Sequence, residues 1–178
     1  AINDNPTSST RYRYSNDSLV DQINQAQREI VNATWLCEKT TSYNLTGNVT
    51  YYSLPTDLIA VIKVEFKDSS NNIIELKETS LRKLYSENPE WKNDAGTPVD
   101  YYISQTTSPD TSVQQISYIP IPTNTSTGTV TIQFFNIAAD LSADSDVPFD
   151  SKRHLYPYHW SIINYVTAKV KLIQGDTN

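Results

Sequence analysis

His154 and His159 are the only imidazoles in a chain of 178 residues. They are therefore the natural bases for chemistry near neutral pH. A Ser-His-Asp centre needs a nucleophile held against an oriented base. No Gly-x-Ser-x-Gly elbow is present to supply one. The two imidazoles are spaced i, i+5, off a shared helical face, whereas metal-binding pairs favour i, i+4. Asp140, Asp144, Asp146 and Asp150 would make a calcium loop, but the EF-hand pattern wants Gly at its sixth position and Glu at its twelfth, and neither fits. They read instead as a solvated acidic loop ahead of a helix N-terminus. Glu65, Glu75, Glu78, Glu87 and Glu90 could supply the paired carboxylates of a glycosidase, although sequence cannot pair them. Cys37, beside Trp35 and Leu36, reads as a small buried hydrophobe rather than a reactive thiol.

Aromatic residues offer binding rather than catalysis. Arg11, Tyr12, Arg13 and Tyr14 could stack on and pair with nucleic acid; in an acidic chain the cluster reads as a contact with a protein partner. Tyr51-Tyr52, Tyr101-Tyr102 and Phe134-Phe135 suggest a sugar-binding face. Adjacent strand residues point to opposite faces, so half of these are expected in the core.

Composition narrows the classes. Lys plus Arg is 14 and Asp plus Glu is 20, a net charge of −6. A DNA-gripping surface needs clustered cations, which this balance does not favour. One Cys excludes an intramolecular disulfide and a cysteine-based zinc site. Four Gly leave no phosphate-cradling loop. No apolar run is long enough to span a bilayer. The start, Ala1-Ile2-Asn3-Asp4, does not read as a signal peptide. Asn-x-Ser/Thr triplets at Asn16, Asn32, Asn44, Asn48 and Asn124 occur about as often as an Asn-, Ser- and Thr-rich chain produces by chance.

The elements that would position these residues follow from period and punctuation. Residues 1–15 read as a flexible polar arm. Ser15, Asn16 and Asp17 offer N-caps, and Leu19, Val20, Ile23, Ala26, Ile30, Val31 and Trp35 form one apolar stripe, predicting a helix over 17–36. From Tyr43 the pattern favours strands, with a turn at Gly47-Asn48. The run Ile59–Phe66 predicts a strand, Asp68–Asn72 a hairpin turn, and Ile73–Leu76 its return. A short helix capped by Thr79 or Ser80 carries Leu81, Leu84 and Tyr85 and ends before Pro89. Strands are predicted over Val99–Ser104, Gln115–Ile119 and Thr129–Ile137, with 105–114 and 123–128 as polar loops. Pro120 and Pro122 end a ladder. Val130, Ile132 and Phe134 alternate onto one face. A last helix is predicted over 152–173, with Pro157 in its first turns and Gly175 as C-cap. The fold class is α+β: terminal helices (17–36 and 152–174) packed together, an antiparallel β-rich module (43–137) inserted between them, all one domain over 1–178.

The middle of the chain carries an ordered series. It begins with Tyr51-Tyr52-Ser53-Leu54-Pro55-Thr56-Asp57-Leu58 and the strand Ile62–Phe66. The short helix Ser80–Tyr85 follows, then Pro89-Glu90-Trp91, then Gly96-Thr97-Pro98-Val99-Asp100-Tyr101-Tyr102-Ile103. Ile119-Pro120-Ile121-Pro122 comes next, and Leu141–Phe149 precedes the last helix. Over about residues 17–173 this resembles the head-to-tail adaptor (neck, connector or head-completion) proteins of tailed bacteriophages. The resemblance implies a structural virion protein, assembled in the host bacterial cytoplasm. It implies a closed ring of head-to-tail contacts, about twelve copies, beneath the portal protein. The ring lengthens the channel through which genomic DNA passes without sequence-specific binding, and offers a surface to the next tail or neck protein. No cofactor, catalytic centre or membrane is implied.

An acidic chain suits a channel along which DNA must slide, and the lack of disulfides suits a bacterial cytoplasm. The expected contacts with the portal or a neighbouring copy lie on the last helix, at Trp160, Ile163, Tyr165, Val166, Lys169 and Leu172, and on the arm at Arg11, Tyr12, Arg13 and Tyr14. From Trp160 onward the chain is expected to face the portal, and the β module the tail or the adjacent copy. Two other readings predict different features. A secreted carbohydrate-binding module predicts exposed coplanar aromatics. A peptidoglycan hydrolase predicts a cleft with two carboxylates, one with a raised pKa.

Overall fold

The computed structural model describes residues 15–108, 111–124, 128–143 and 145–173, and side chains over the same stretches except 106–108, 111–112 and 172–173. The elements in order are α1 (Asn16–Thr34), β1 (Glu38–Asn44), β2 (Tyr52–Ser53), β3 (Leu58–Asp68), β4 (Ile73–Glu75), β5 (Lys77–Glu78) and α2 (Leu81–Glu87). There follow β6 (Ala95–Gly96), β7 (Asp100–Ser108), β8 (Thr111–Ile119), β9 (Ile121–Pro122), β10 (Gly128–Asn136) and α3 (His159–Ile173), with short 3₁₀ turns at Trp91–Asn93, Phe149–Ser151 and Arg153–Tyr158. The fold is mixed α and β, its sheets mainly antiparallel. The chain divides into two compact units, one of residues up to Cys37 and from Ile137 on, the other Glu38–Asn136.

The Glu38–Asn136 unit contains two four-stranded sheets, ordered β1-β10-β3-β4 and β2-β8-β7-β5, and a small β6-β9 pair. Two contacts are parallel, β5 with β7 and β6 with β9. The sheets share one core. Val130, Ile132 and Phe134 point into it as their alternation predicts, meeting Val64 and Phe66 from β3 and Ile116 and Tyr118 from β8. Leu76 carries the chain from one sheet to the other. Its N–H donates to Val64 O (2.9 Å) and the Lys77 N–H to Val99 O (3.1 Å). Gly128 is needed for close approach: a Cβ there would sit 2.3 Å from Lys67 O and 2.6 Å from the Phe66 ring. Ser80 caps α2 as expected, accepting from the Lys83 N–H. A second cluster of Leu84, Trp91, Tyr102 and Ile119 seats that helix.

Several boundaries differ from the sequence pattern. The strand expected from Tyr43 begins at Glu38, because Glu-Lys-Thr-Thr-Ser forms an edge strand whose charged and hydroxyl side chains face solvent. Residues 105–114 are not a long loop. β7 and β8 pair out to Ser108↔Thr111, leaving only 109–110 between them. Threonine's β preference lets this polar stretch continue the ladder. Ile121-Pro122 does not merely end a ladder; it pairs with Ala95-Gly96.

In the other unit, Ser15 caps α1 by accepting from the Ser18 N–H at 3.2 Å. The helix ends at Trp35, whose φ of 53° is left-handed and whose N–H reaches Val31 O at 2.7 Å. Trp35 is therefore an exposed cap rather than part of the apolar stripe. The last helix begins at His159, not 152. Residues 153–158 form a 3₁₀ turn, because Pro157 lacks an N–H and disfavours α geometry at Tyr156. Residues 1–14, which include Arg11, Tyr12, Arg13, Tyr14 and most of the expected arm, lie outside the described residues, as do Asp144 and the expected cap Gly175.

Candidate functional site

The candidate acids and bases lie in different settings. His154 is exposed. The His159 ring lies between Phe149 and Tyr156, 5.9 and 5.1 Å between centroids, and its Nε2 is buried with no hydrogen-bond partner. That is a packed ring, not a base aimed at a nucleophile. Among the described residues no group of His, Cys, Asp and Glu could hold a metal ion. Glu65 and Glu75 oppose each other across β3 and β4, but Lys63 sits between them at 2.6 and 3.7 Å. The Glu65 bond, followed by the field of both carboxylates, raises the Lys63 pKa. Lys63 thus occupies the space between the two carboxylates. Cys37 is buried, and burial pushes its thiol pKa up, away from reactivity. Tyr101, Tyr102 and Phe134 are buried and Tyr52 is half-buried, while Tyr51 is exposed. These residues make no exposed aromatic row.

The acidic loop has a different job. Asp140 holds Arg28 of α1 at 2.6 Å. Asp146 accepts from the Ser142 and Ala143 N–H groups (2.7 and 2.9 Å) and from the Ser142 hydroxyl, which holds its carboxyl below the usual range. Asp150 accepts from the Ala139 N–H at 2.9 Å. Two buried amides of α1 complete the arrangement. Asn24 donates to Leu141 O (3.0 Å) and accepts from the Leu141 N–H (2.7 Å). Gln27 donates to Ala139 O and accepts from the Phe149 N–H, both at 2.8 Å. The segment so held includes Phe149, Asp150 and Ser151, three consecutive residues with φ of 54–58°. Left-handed geometry costs a non-glycine residue about 1–2 kcal/mol. The Gln27 and Asp150 bonds, with full burial of the Phe149 ring, offset that cost. Asn24 and Gln27 of this amide clamp do not stand out in the sequence, because polar residues on a helix ordinarily face solvent. The available signal was their place within the stripe of Ile23, Ala26 and Val31.

The clamped loop leads into α3, where the expected contact residues separate into two groups. Ile162, Val166 and Val170 are buried. Tyr165 and Lys169 reach Glu29 of α1: the tyrosine hydroxyl donates to one carboxylate oxygen, and Lys169 lies 3.1 Å from the other. The Tyr165 bond first, then Lys169, lowers the Glu29 pKa. Val166 is thus core, and Tyr165 and Lys169 are engaged within the unit. Trp160 and Ile163 are open to solvent, at 69% and 51% exposure, and the preceding turn adds exposed Tyr156 and Tyr158. The Leu172 side chain lies outside the described residues.

A family model described as SU10 adaptor protein matches residues 1–178, the full length of the chain. The chain belongs to the SU10 adaptor protein family. This is a family of phage adaptors, structural components of the virion, and it bears out the resemblance to head-to-tail adaptors. No curated protein matches the chain. No helix among the described residues is long and apolar enough to cross a membrane. Many residues of the adaptor-like series hold the fold. Leu54 and Trp91 are core, Asp57 pairs with Lys39, and Asp146 ties its own loop.

Proposed function

We propose that this SU10 adaptor forms a ring of about twelve copies beneath the portal protein by closed head-to-tail contacts. The ring extends the DNA channel and presents a docking surface to the next tail component. The full-length family match carries this reading. Several of the candidate acids serve the fold: Asp140 holds Arg28, Asp146 ties its own loop, and Glu65 and Glu75 share Lys63. The terminal helices pack on each other, and the β-rich stretch 43–137 is inserted between them in the sequence. Contacts with the portal and with neighbouring copies draw on the last helix, where Trp160 and Ile163 are free, and on Arg11, Tyr12, Arg13 and Tyr14. The acidic balance of the chain keeps DNA from adhering as it passes. Single-particle reconstruction of virions tests the proposal: density for a ring of this chain directly below the portal is expected. Placement of the chain elsewhere in the virion, or its absence, would contradict it.

A further inference from the structure

Residues 151–173 carry Lys152, Arg153, Lys169 and Lys171 and no Asp or Glu, in a chain whose net charge is −6. The same stretch holds Tyr156, Tyr158, Trp160 and Tyr165. Trp160, Ile163, Thr167 and Lys171 recur at i+3 and i+4 steps, so they share one side of α3. That side lies about 100° round α3 from the buried row of Ile162, Val166 and Val170, and Thr167 on it is half-buried. Trp160 is the most exposed large hydrophobic residue among those described, and Ile163 adjoins it. Lys171 is exposed in the last turn of α3, and Arg153 and His154 are exposed in the 3₁₀ turn that precedes the helix.

We infer that the exposed side of α3 is a helix-in-groove docking ridge. Trp160 and Ile163 are its anchors, and its partner is a protein groove, apolar at the centre and acidic at the rim. The inference rests on the adaptor reading and names the chemistry of one of its contacts. An exposed tryptophan beside a β-branched aliphatic, one turn apart, is the pattern by which an amphipathic helix enters an apolar groove. Tryptophan and arginine are the residues most enriched where binding energy concentrates. The exposed side of α3 carries Lys171 and no carboxylate of its own, the Glu29 carboxylate beside it being taken up by Tyr165 and Lys169, and that disfavours basic partners and favours acidic ones. Nucleic acid fits less well. Lys169 is held by Glu29, and Arg153 with Lys171 would release only about two counterions, too few for tight phosphate binding.

The full-length chain is tested in two ways. Hydroxyl-radical footprinting compares Trp160 and Ile163 in the free protein and in intact virions. Binding of wild type, Trp160→Ala and Arg153→Glu/Lys171→Glu to purified portal rings is then measured across salt concentrations. All three positions are exposed, so circular dichroism should show unchanged folding. Protection of Trp160 in virions is expected. Trp160→Ala should lose about thirty-fold or more in affinity, and the charge reversal should slow association and flatten its salt dependence. Trp160 protected in virions while the wild-type chain ignores the portal would leave the ridge standing, with a different protein partner, and remove portal docking. Trp160 fully reactive in virions would overturn the ridge, even where the portal still binds. Portal binding by Trp160→Ala within twofold of wild type, with Trp160 also unprotected, would do the same, as would ultraviolet cross-linking of Trp160 to DNA rather than to protein.

Discussion

Replacing Gln27 with Leu preserves side-chain volume and helix propensity in α1 while deleting both bonds of its amide. Gln27 is fully buried. The substitution leaves Ala139 O and the Phe149 N–H, each held at 2.8 Å in the wild type, without that partner. The buried Phe149 N–H left unpaired costs about 1–3 kcal/mol, and the lost bond to the carbonyl of the exposed Ala139 about 1 kcal/mol, about 2–4 kcal/mol together. The added apolar burial of Leu returns about 1 kcal/mol. A net loss near 2 kcal/mol lowers Tm by about 4–8 °C for a chain of this size. Gln27→Glu separates hydrogen bonding from shape. A neutral carboxylic acid can donate to Ala139 O and accept from the Phe149 N–H; a carboxylate can only accept, and is buried with a charge. The folded-state pKa of that Glu is therefore raised above its unfolded value of about 4.3. Its stabilisation is present below the unfolded pKa and is lost as pH rises through the folded one. The Glu variant should approach wild-type stability in acid and fall away toward neutral pH. Urea titrations of the three proteins from pH 3.5 to 8, with hydrogen exchange at residues 139–149, read both effects. A Leu variant within about 0.5 kcal/mol of wild type, or a Glu variant whose deficit does not change with pH, would refute the clamp.

Gly128→Ala drives a Cβ into Lys67 O and the Phe66 ring, and the overpacking should cost about 1–3 kcal/mol in chemical denaturation. Glu29 has a lowered pKa, from Tyr165 first and Lys169 second. Its stabilisation is present above the unfolded value and lost as pH falls through the folded one, so Glu29→Gln should be less stable than wild type at neutral pH and equal to it in strong acid by thermal melts. Burial raises the hydroxyl pKa of Tyr43, Tyr101 and Tyr102 to about 12, and that of Tyr118 higher still. These tyrosines should resist ionisation in ultraviolet titration until well above pH 10. Stability should decline as pH rises from the unfolded value of about 10 through the folded values, since the unfolded chain ionises first.

The elements with strong periods were legible in the sequence. The alternation of β10, the β-branched run of β3, the Asp68–Asn72 turn and the Ser80 cap of α2 each followed from local chemistry that tertiary structure did not override. What escaped was polar structure. β1 and the outer parts of β7 and β8 are Thr- and Ser-rich strands, stabilised by pairing that no local window contains. Pro157 was visible, yet its effect, delaying α3 to His159, depends on a 3₁₀ turn anchored by buried Leu155. Of the contact residues read from the last helix, Trp160 and Ile163 are surface, whereas Val166 is core. A broad apolar stripe cannot say which of its sides the chain itself covers. Asn24 and Gln27 became visible only once the loop they hold was in place.

Native mass spectrometry of the purified chain mixed with its portal ring tests the central claim most directly. The adaptor account predicts stoichiometric addition of many copies, one ring per portal, even from a monomeric free state. A chain that remains monomeric and leaves the portal mass unchanged would contradict it.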